Sequence, residues 1–122
     1  MPRLGDIMDT AQMRHTKLWY AGKAANWALA AFELGQLKGG LVEAAQLYSG
    51  IPASNVTTLA APLQALAGAI EAKDGRRFAK AYGELTDGCN SCHAAMGRSF
   101  IVMRQPADQP FGDQVFSPQG KR

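Results

Sequence analysis

The stretch Phe78-Ala79-Lys80-Ala81-Tyr82-Gly83-Glu84-Leu85-Thr86-Asp87-Gly88-Cys89-Asn90-Ser91-Cys92-His93 decides the fold. Its apolar and sulfur positions, Phe78, Tyr82, Leu85, Cys89, Cys92 and then Met96 and Met103, recur at helical spacing. They predict an amphipathic helix capped by Asp74 and running to about Met103, with both thiols on the stripe that faces the core. Working outward, no segment alternates with the period of a strand. A first tract, capped by Asp6, carries Met8, Ala11, His15, Leu18, Gly22, Ala25, Leu29 and Phe32 on one stripe and is punctuated at Gly39-Gly40. A short second helix is expected over 41–48, and a loop at 49–53 leads to a cap at Ser54 or Asn55. A third helix over about 56–72 turns Leu59, Leu63, Leu66 and Ile70 inward, although Pro62 argues for a later start. Pro106, Pro110 and Pro118 mark the remainder as non-helical. The expected architecture is all-α: an antiparallel four-helix bundle over residues 1–105, with an irregular tail over 106–122 held by Phe111 and Phe116.

Composition agrees with a single globular domain. The chain has 122 residues, 47% of them apolar and 19% charged, with a formal charge of +3. No apolar run reaches the roughly 18–20 residues that span a bilayer. No block of Lys and Arg interleaved with aromatics points to a nucleic-acid groove.

Cys89, Cys92 and His93 form a Cys-x-x-Cys-His motif. One helical turn separates the thiols, so both can add to the two vinyl groups along one side of a porphyrin, with the following imidazole as proximal iron ligand. The expected cofactor is therefore haem c. Three rivals are weaker. A thioredoxin-type pair needs a strand before it. A zinc site made from Cys89, Cys92, His93 and His15 has its adjacent ligands about 100° apart on a helix. A structural disulfide leaves His93 without a use.

Four helices with Cys-x-x-Cys-His in the last resemble the class II c-type cytochromes, the cytochrome c′ and cytochrome c-556 group. The likeness spans about residues 7–103, and only the Cys89–His93 motif is specific. It implies covalent haem, a motif near the end of the last helix, and a sixth iron position either empty or filled from the first helix. It also implies attachment outside the cytoplasm, hence the bacterial periplasm. Met1-Pro2-Arg3 opens no hydrophobic signal segment, so the expected export signal is absent from the sequence. The chain departs from the family in the 29 residues after His93 and in carrying a histidine in its first helix.

That histidine is the expected sixth ligand. His15 and Met8 lie within about 20° on the first helix, whereas Met13 is about 200° from His15. If the last helix ends near Met103, His93 lies about ten residues from that end, and ten residues into an antiparallel first helix is the level of His15. Met8 or an empty position are the alternatives. With both axial positions filled, the expected function is a periplasmic electron carrier and not an enzyme, working with a redox partner protein. The alternative is a five-coordinate protein that binds or senses NO or CO in a pocket around Leu4, Met8, Ala11 and Leu18. Trp19, Trp27, Phe32, Phe78 and Tyr82 read as core, Met96 and Met103 likewise. Lys73, Arg76, Arg77 and Lys80 read as a solvated helix end, with docking of an acidic redox partner as the alternative, and Arg98 and Arg104 as candidates to pair with haem propionates. A homodimer through the second helix with Trp27 or Tyr48 is a further expectation.

Overall fold

Asn26 decides where the first helix hands over to the second. Its side-chain oxygen accepts the Leu29 backbone N–H at 3.2 Å, and Ala25 before it takes a left-handed φ of 56°. In the computed structural model, which describes residues 2–120 apart from the side chains at 53, 55 and 56, this turn separates α1, Leu4–Lys23, from α2, Trp27–Leu47. The remaining helices are α3, Ala53–Glu71, and α4, Gly75–Ala95. The described residues contain four helices and no strand.

Four boundaries differ from the sequence expectation. The break falls at residues 24–26 instead of Gly39-Gly40, and α2 runs through both glycines. A Cβ at either glycine would meet nothing within 4 Å, so neither marks a close approach or a turn. Asp6 lies in the first turn of α1, but the N-cap is Arg3, with no side-chain cap. The N-cap of α3 is Pro52; the side chain of Asn55 lies outside the described set. Pro62 sits buried within α3, where it removes the bond to the carbonyl of residue 58 without ending the helix.

The fourth difference bears on function. Asp74 caps α4 as expected, accepting from the N–H groups of Arg76 and Arg77 at 3.1 Å. The helix stops at Ala95, not near Met103. Gly97 adopts φ 72°, its N–H reaches the Ala94 carbonyl at 3.1 Å, and the Arg98 N–H reaches the His93 carbonyl at 2.7 Å. This pair of bonds is the Schellman ending, which a left-handed glycine permits without Cβ strain. The non-helical segment therefore begins at residue 96, ten residues before Pro106.

Three-residue connections make α1–α2 and α3–α4 two helical hairpins. Each packs most extensively within itself; α2 meets α3 less, and α1 meets α4 least. The shared core holds Leu18, Trp19, Leu34, Leu37, Leu66, Phe78, Tyr82 and Leu85. Burial of each such side chain stabilises the fold by roughly 1.5–3 kcal/mol. Along α1 and α4, Gly22 lies against Phe78, Trp19 against Phe78 and Tyr82, and His15 against Tyr82 and Thr86. Numbers rise on one helix as they fall on the other, so these two run antiparallel. Past His15 and Thr86 they part, and a cavity opens between them.

Non-helical residues return over the surface. Phe116 is buried, packs on Tyr20 with ring centroids 6.1 Å apart, and its carbonyl accepts from the Asn26 amide at 3.1 Å. The ammonium of Lys17 lies 4.7 Å from the centre of the Phe111 ring.

Candidate cofactor-binding site

The cavity has a volume of about 460 Å³, within the range of about 300–1,000 Å³ typical of small-molecule and cofactor sites. Leu4, Met8, Ala11 and His15 line it from α1, Leu37 and Leu41 from α2, Leu59 from α3, and Cys89, Cys92 and His93 from α4. Ile101 and Met103 close it from the segment that follows α4. A second cavity of about 170 Å³ shares Met8, Leu41, Ile51, Leu59 and Cys92 with the first. The structure thus brings together the four residues singled out from sequence, Cys89, Cys92, His93 and His15, in one largely apolar chamber.

Both cysteines are half-buried, and they are not joined in a disulfide. Burial, with a smaller contribution from neighbouring Cys92, pushes the Cys89 thiol up to about 11. A disulfide-exchange nucleophile requires the opposite shift. Among the described residues no three His, Cys, Asp or Glu side chains gather where they could hold a metal ion, so the tetrahedral zinc alternative lacks its donor set.

His93 is oriented by a partner that sequence spacing did not indicate. Its Nδ1 lies 3.1 Å from the Ile101 carbonyl oxygen. A carbonyl can only accept, so Nδ1 carries a proton, and in the neutral ring the lone pair is then on Nε2. That is the tautomer a metal-binding imidazole requires, and the bond is the usual second support of such a ligand. Ile101 is itself fixed through Met103. The Met103 N–H donates to Asn90 Oδ1 at 2.6 Å, and Asn90 Nδ2 donates to the Met103 carbonyl at 2.9 Å. Asn90, inside the motif between the two cysteines, therefore clamps the strap that holds the histidine. Asparagine next to cysteine is the only trace of this in the sequence.

His15 is 2% exposed, and both of its ring nitrogens have partners. Nε2 lies 2.8 Å from Thr86 Oγ1 and Nδ1 lies 2.9 Å from the Tyr82 hydroxyl, which also donates to the His15 carbonyl at 2.8 Å. Burial lowers its pKa to about 4, keeping it neutral. Burial likewise raises the Tyr82 hydroxyl above its ordinary range.

The shorter α4 changes the level comparison between helices. His93 lies two residues from the end of α4, not ten. His15 pairs with Thr86, and seven residues back along α1 and seven forward along α4 lead to Met8 and His93, about 10 Å away in each helix. The residue of α1 at the level of His93 is Met8. Two small residues, Ala11 and Gly22, flank His15 on the sequence stripe, where the lack of bulk would let a ring approach the backbone. Ala11 lines the cavity, but Gly22 does not; its missing Cβ is filled by Phe78, whose ring atoms would come within 2.2 Å.

Trp19, Phe78 and Tyr82 belong to the core, Phe32 is 53% exposed, and no aromatic side chain lines the cavity. Met96 and Met103, expected in the core, line the cavity, whereas Leu18, expected in the pocket, is fully buried in the core. Arg98 lines the cavity and Arg104 does not.

No protein family, curated protein or solved structure matches this chain.

Proposed function

We propose that this protein is a monohaem c-type cytochrome that carries electrons in the periplasm, with haem c joined to Cys89 and Cys92 and its iron bound by His93. The observation that carries this reading is the His93–Ile101 bond beside two cysteines, not joined in a disulfide, on the wall of a chamber of cofactor size. A histidine whose Nδ1 proton is fixed and whose Nε2 is unprotonated has a purpose next to iron that it lacks in a zinc cluster or a dithiol redox pair. Haem iron supplies one-electron chemistry, cycling between its ferric and ferrous states. The chain's part is to hold and exclude: Cys89 and Cys92 would hold the group by thioether links, apolar side chains from all four helices would keep water from it, and Arg98 would offer a guanidinium to the propionates.

A sixth ligand would come from α1. Sequence spacing favours His15; the α1–α4 register favours Met8, and His15 would have to leave Thr86 to coordinate. We therefore assign Met8 as the residue of α1 that would bind the iron and His15 as a hydrogen-bonding member of the wall. The test is to express the chain in a host that assembles c-type cytochromes and to extract it with acidic acetone. Haem that stays on the polypeptide supports the proposal, as does a reduced pyridine spectrum typical of two saturated vinyl groups. Haem that washes out, or zinc in its place, overturns it. A ferrous protein that takes up CO at once would instead favour the gas-binding alternative.

A further inference from the structure

Residues 100–104 alternate. Ile101 and Met103 line the cavity, Ile101 with 41% of its surface still exposed, whereas Phe100 is 80% exposed, Val102 is 72% exposed and Arg104 points to solvent. This is the two-residue period of an extended strand, with the Asn90–Met103 bonds holding it against α4. Its inner face closes the chamber. Its outer face shows two large apolar side chains in a row, followed by a guanidinium.

That outer face is unusual on this molecule. Apart from Ile101 within the same strap, the other large exposed hydrophobics among the described residues, Phe32, Val42, Leu47 and Val115, lie away from it in the chain. No Asp or Glu occurs between Asp87 and Asp108, while Arg98 and Arg104 both fall within that interval. Neither guanidinium pairs with a carboxylate among the described residues; Arg98 lines the cavity, where the propionates would take it, and Arg104 is the charge left on the outer face. One carboxylate, Asp9, lies across the cavity on α1. An apolar centre beside unpaired positive charge is the usual make-up of a protein-binding surface, and its charge selects an acidic partner. The rival basic cluster, Lys73, Arg76, Arg77 and Lys80, belongs to the opposite end of α4, with Arg76 about 26 Å from His93 at 1.5 Å per residue.

We infer that the outer face of this strap, Phe100, Val102 and Arg104, is the docking surface for an acidic redox partner protein. The inference rests on the electron-carrier reading. It adds a route, because the Ile101 carbonyl that accepts from His93 belongs to the same strap, so one hydrogen bond and a short length of backbone separate the iron ligand from the partner.

The holoprotein should be tested on gold electrodes coated with mixed carboxylate- and methyl-terminated thiols, which present the acidic and apolar chemistry of such a partner. Amine-terminated coatings serve as the contrast. Interfacial electron-transfer rate and adsorbed mass are both read. Phe100→Ser with Val102→Ser, and separately Arg104→Glu, should lower binding to the carboxylate–methyl surface about tenfold, the effect of losing near 1.4 kcal/mol. Lys73→Glu with Arg76→Glu should leave it within about twofold. Unchanged adsorption in the strap variants overturns the inference, as does an equal loss in the far-end variant. So does self-association, or binding to phosphatidylglycerol vesicles, that the strap variants abolish. A preparation without covalent haem would defeat the electron-carrier reading on its spectrum, while adsorbed mass would still decide the docking face.

Discussion

Asn90 and Met103 exchange two hydrogen bonds, Met103 N–H to Asn90 Oδ1 at 2.6 Å and Asn90 Nδ2 to the Met103 carbonyl at 2.9 Å. A side-chain amide here does what a neighbouring strand does in a sheet. Together with the His93–Ile101 bond, it holds the chain that follows Gly97 against α4. Asn90→Ala removes both bonds, each contributing about 1 kcal/mol net. The strap should open about 30-fold more often, read as faster amide exchange at Met103 and as new proteolytic cleavage between residues 98 and 105. Asn90→Asp keeps the acceptor and loses the donor, so its exchange rate should fall between the two. Unaltered exchange in Asn90→Ala would show that the strap is held elsewhere.

Gly22 marks the closest approach of α1 to α4, since an added Cβ would stand 2.2 Å from Phe78 Cε1 and Cζ. Gly22→Ala gains up to about 1 kcal/mol of helix propensity but overpacks a ring that is 2% exposed. Overpacking of this kind costs about 1–3 kcal/mol. Urea denaturation should show a net loss of about 1–2 kcal/mol, partly recovered when Phe78→Leu is added. A stabilised single variant would mean that Phe78 moves aside freely.

How much of this could be read from the chain depends on whether the determining contact is local. The helical period, the Asp74 cap and the Cys89–His93 motif lie within one segment, so α4 and its chemistry were legible. Gly39-Gly40 misled because a glycine pair resembles a stop. On an open face of α2 it only weakens the helix, by about 1 kcal/mol per residue. Asn26 carried the true signal, a capping residue before an apolar run. Gly97 was a legible ending for α4, but Met103 extended the apolar stripe beyond it, whereas Met103 and Ile101 both meet the cavity from a non-helical segment. Their inward direction comes from a strand-like period that two residues cannot distinguish from a helical one. The partners of His15, namely Thr86 and Tyr82, lie 71 and 67 residues away. No pattern within α1 could announce them.

The neutral state of His15 makes stability depend on pH. Burial lowers its pKa from 6.5 to about 4, so between those values the unfolded chain binds a proton that the folded chain refuses. Stability should be full above about pH 6.5 and decline as the pH falls toward 4, by up to roughly 3 kcal/mol from this residue. Denaturant midpoints across that window should show a slope that His15→Gln flattens. A slope that survives the substitution would assign the effect to other groups.

The identity of the axial ligand separates Met8 from His15. The His15–Thr86 pair, carried seven residues along each antiparallel helix, brings Met8 level with His93. His15 has both ring nitrogens occupied by Thr86 and Tyr82. In holoprotein, Met8→Ala should therefore open the iron, shift the ferric spectrum toward high spin and admit CO to the ferrous form. It should also abolish the weak long-wavelength sulfur-to-iron charge-transfer band of the unmodified ferric protein. Met8→His should restore low spin and lower the reduction potential, because thioether ligation holds the potential above that of two imidazoles. His15→Ala should keep low spin and change stability only. If His15→Ala opens the iron while Met8→Ala does not, the pair across the haem is bis-histidine, and His15 must release Thr86 when haem is attached. If neither substitution alters a spectrum that is already high spin, α1 supplies no ligand, and the open position makes the chamber a gas-binding site.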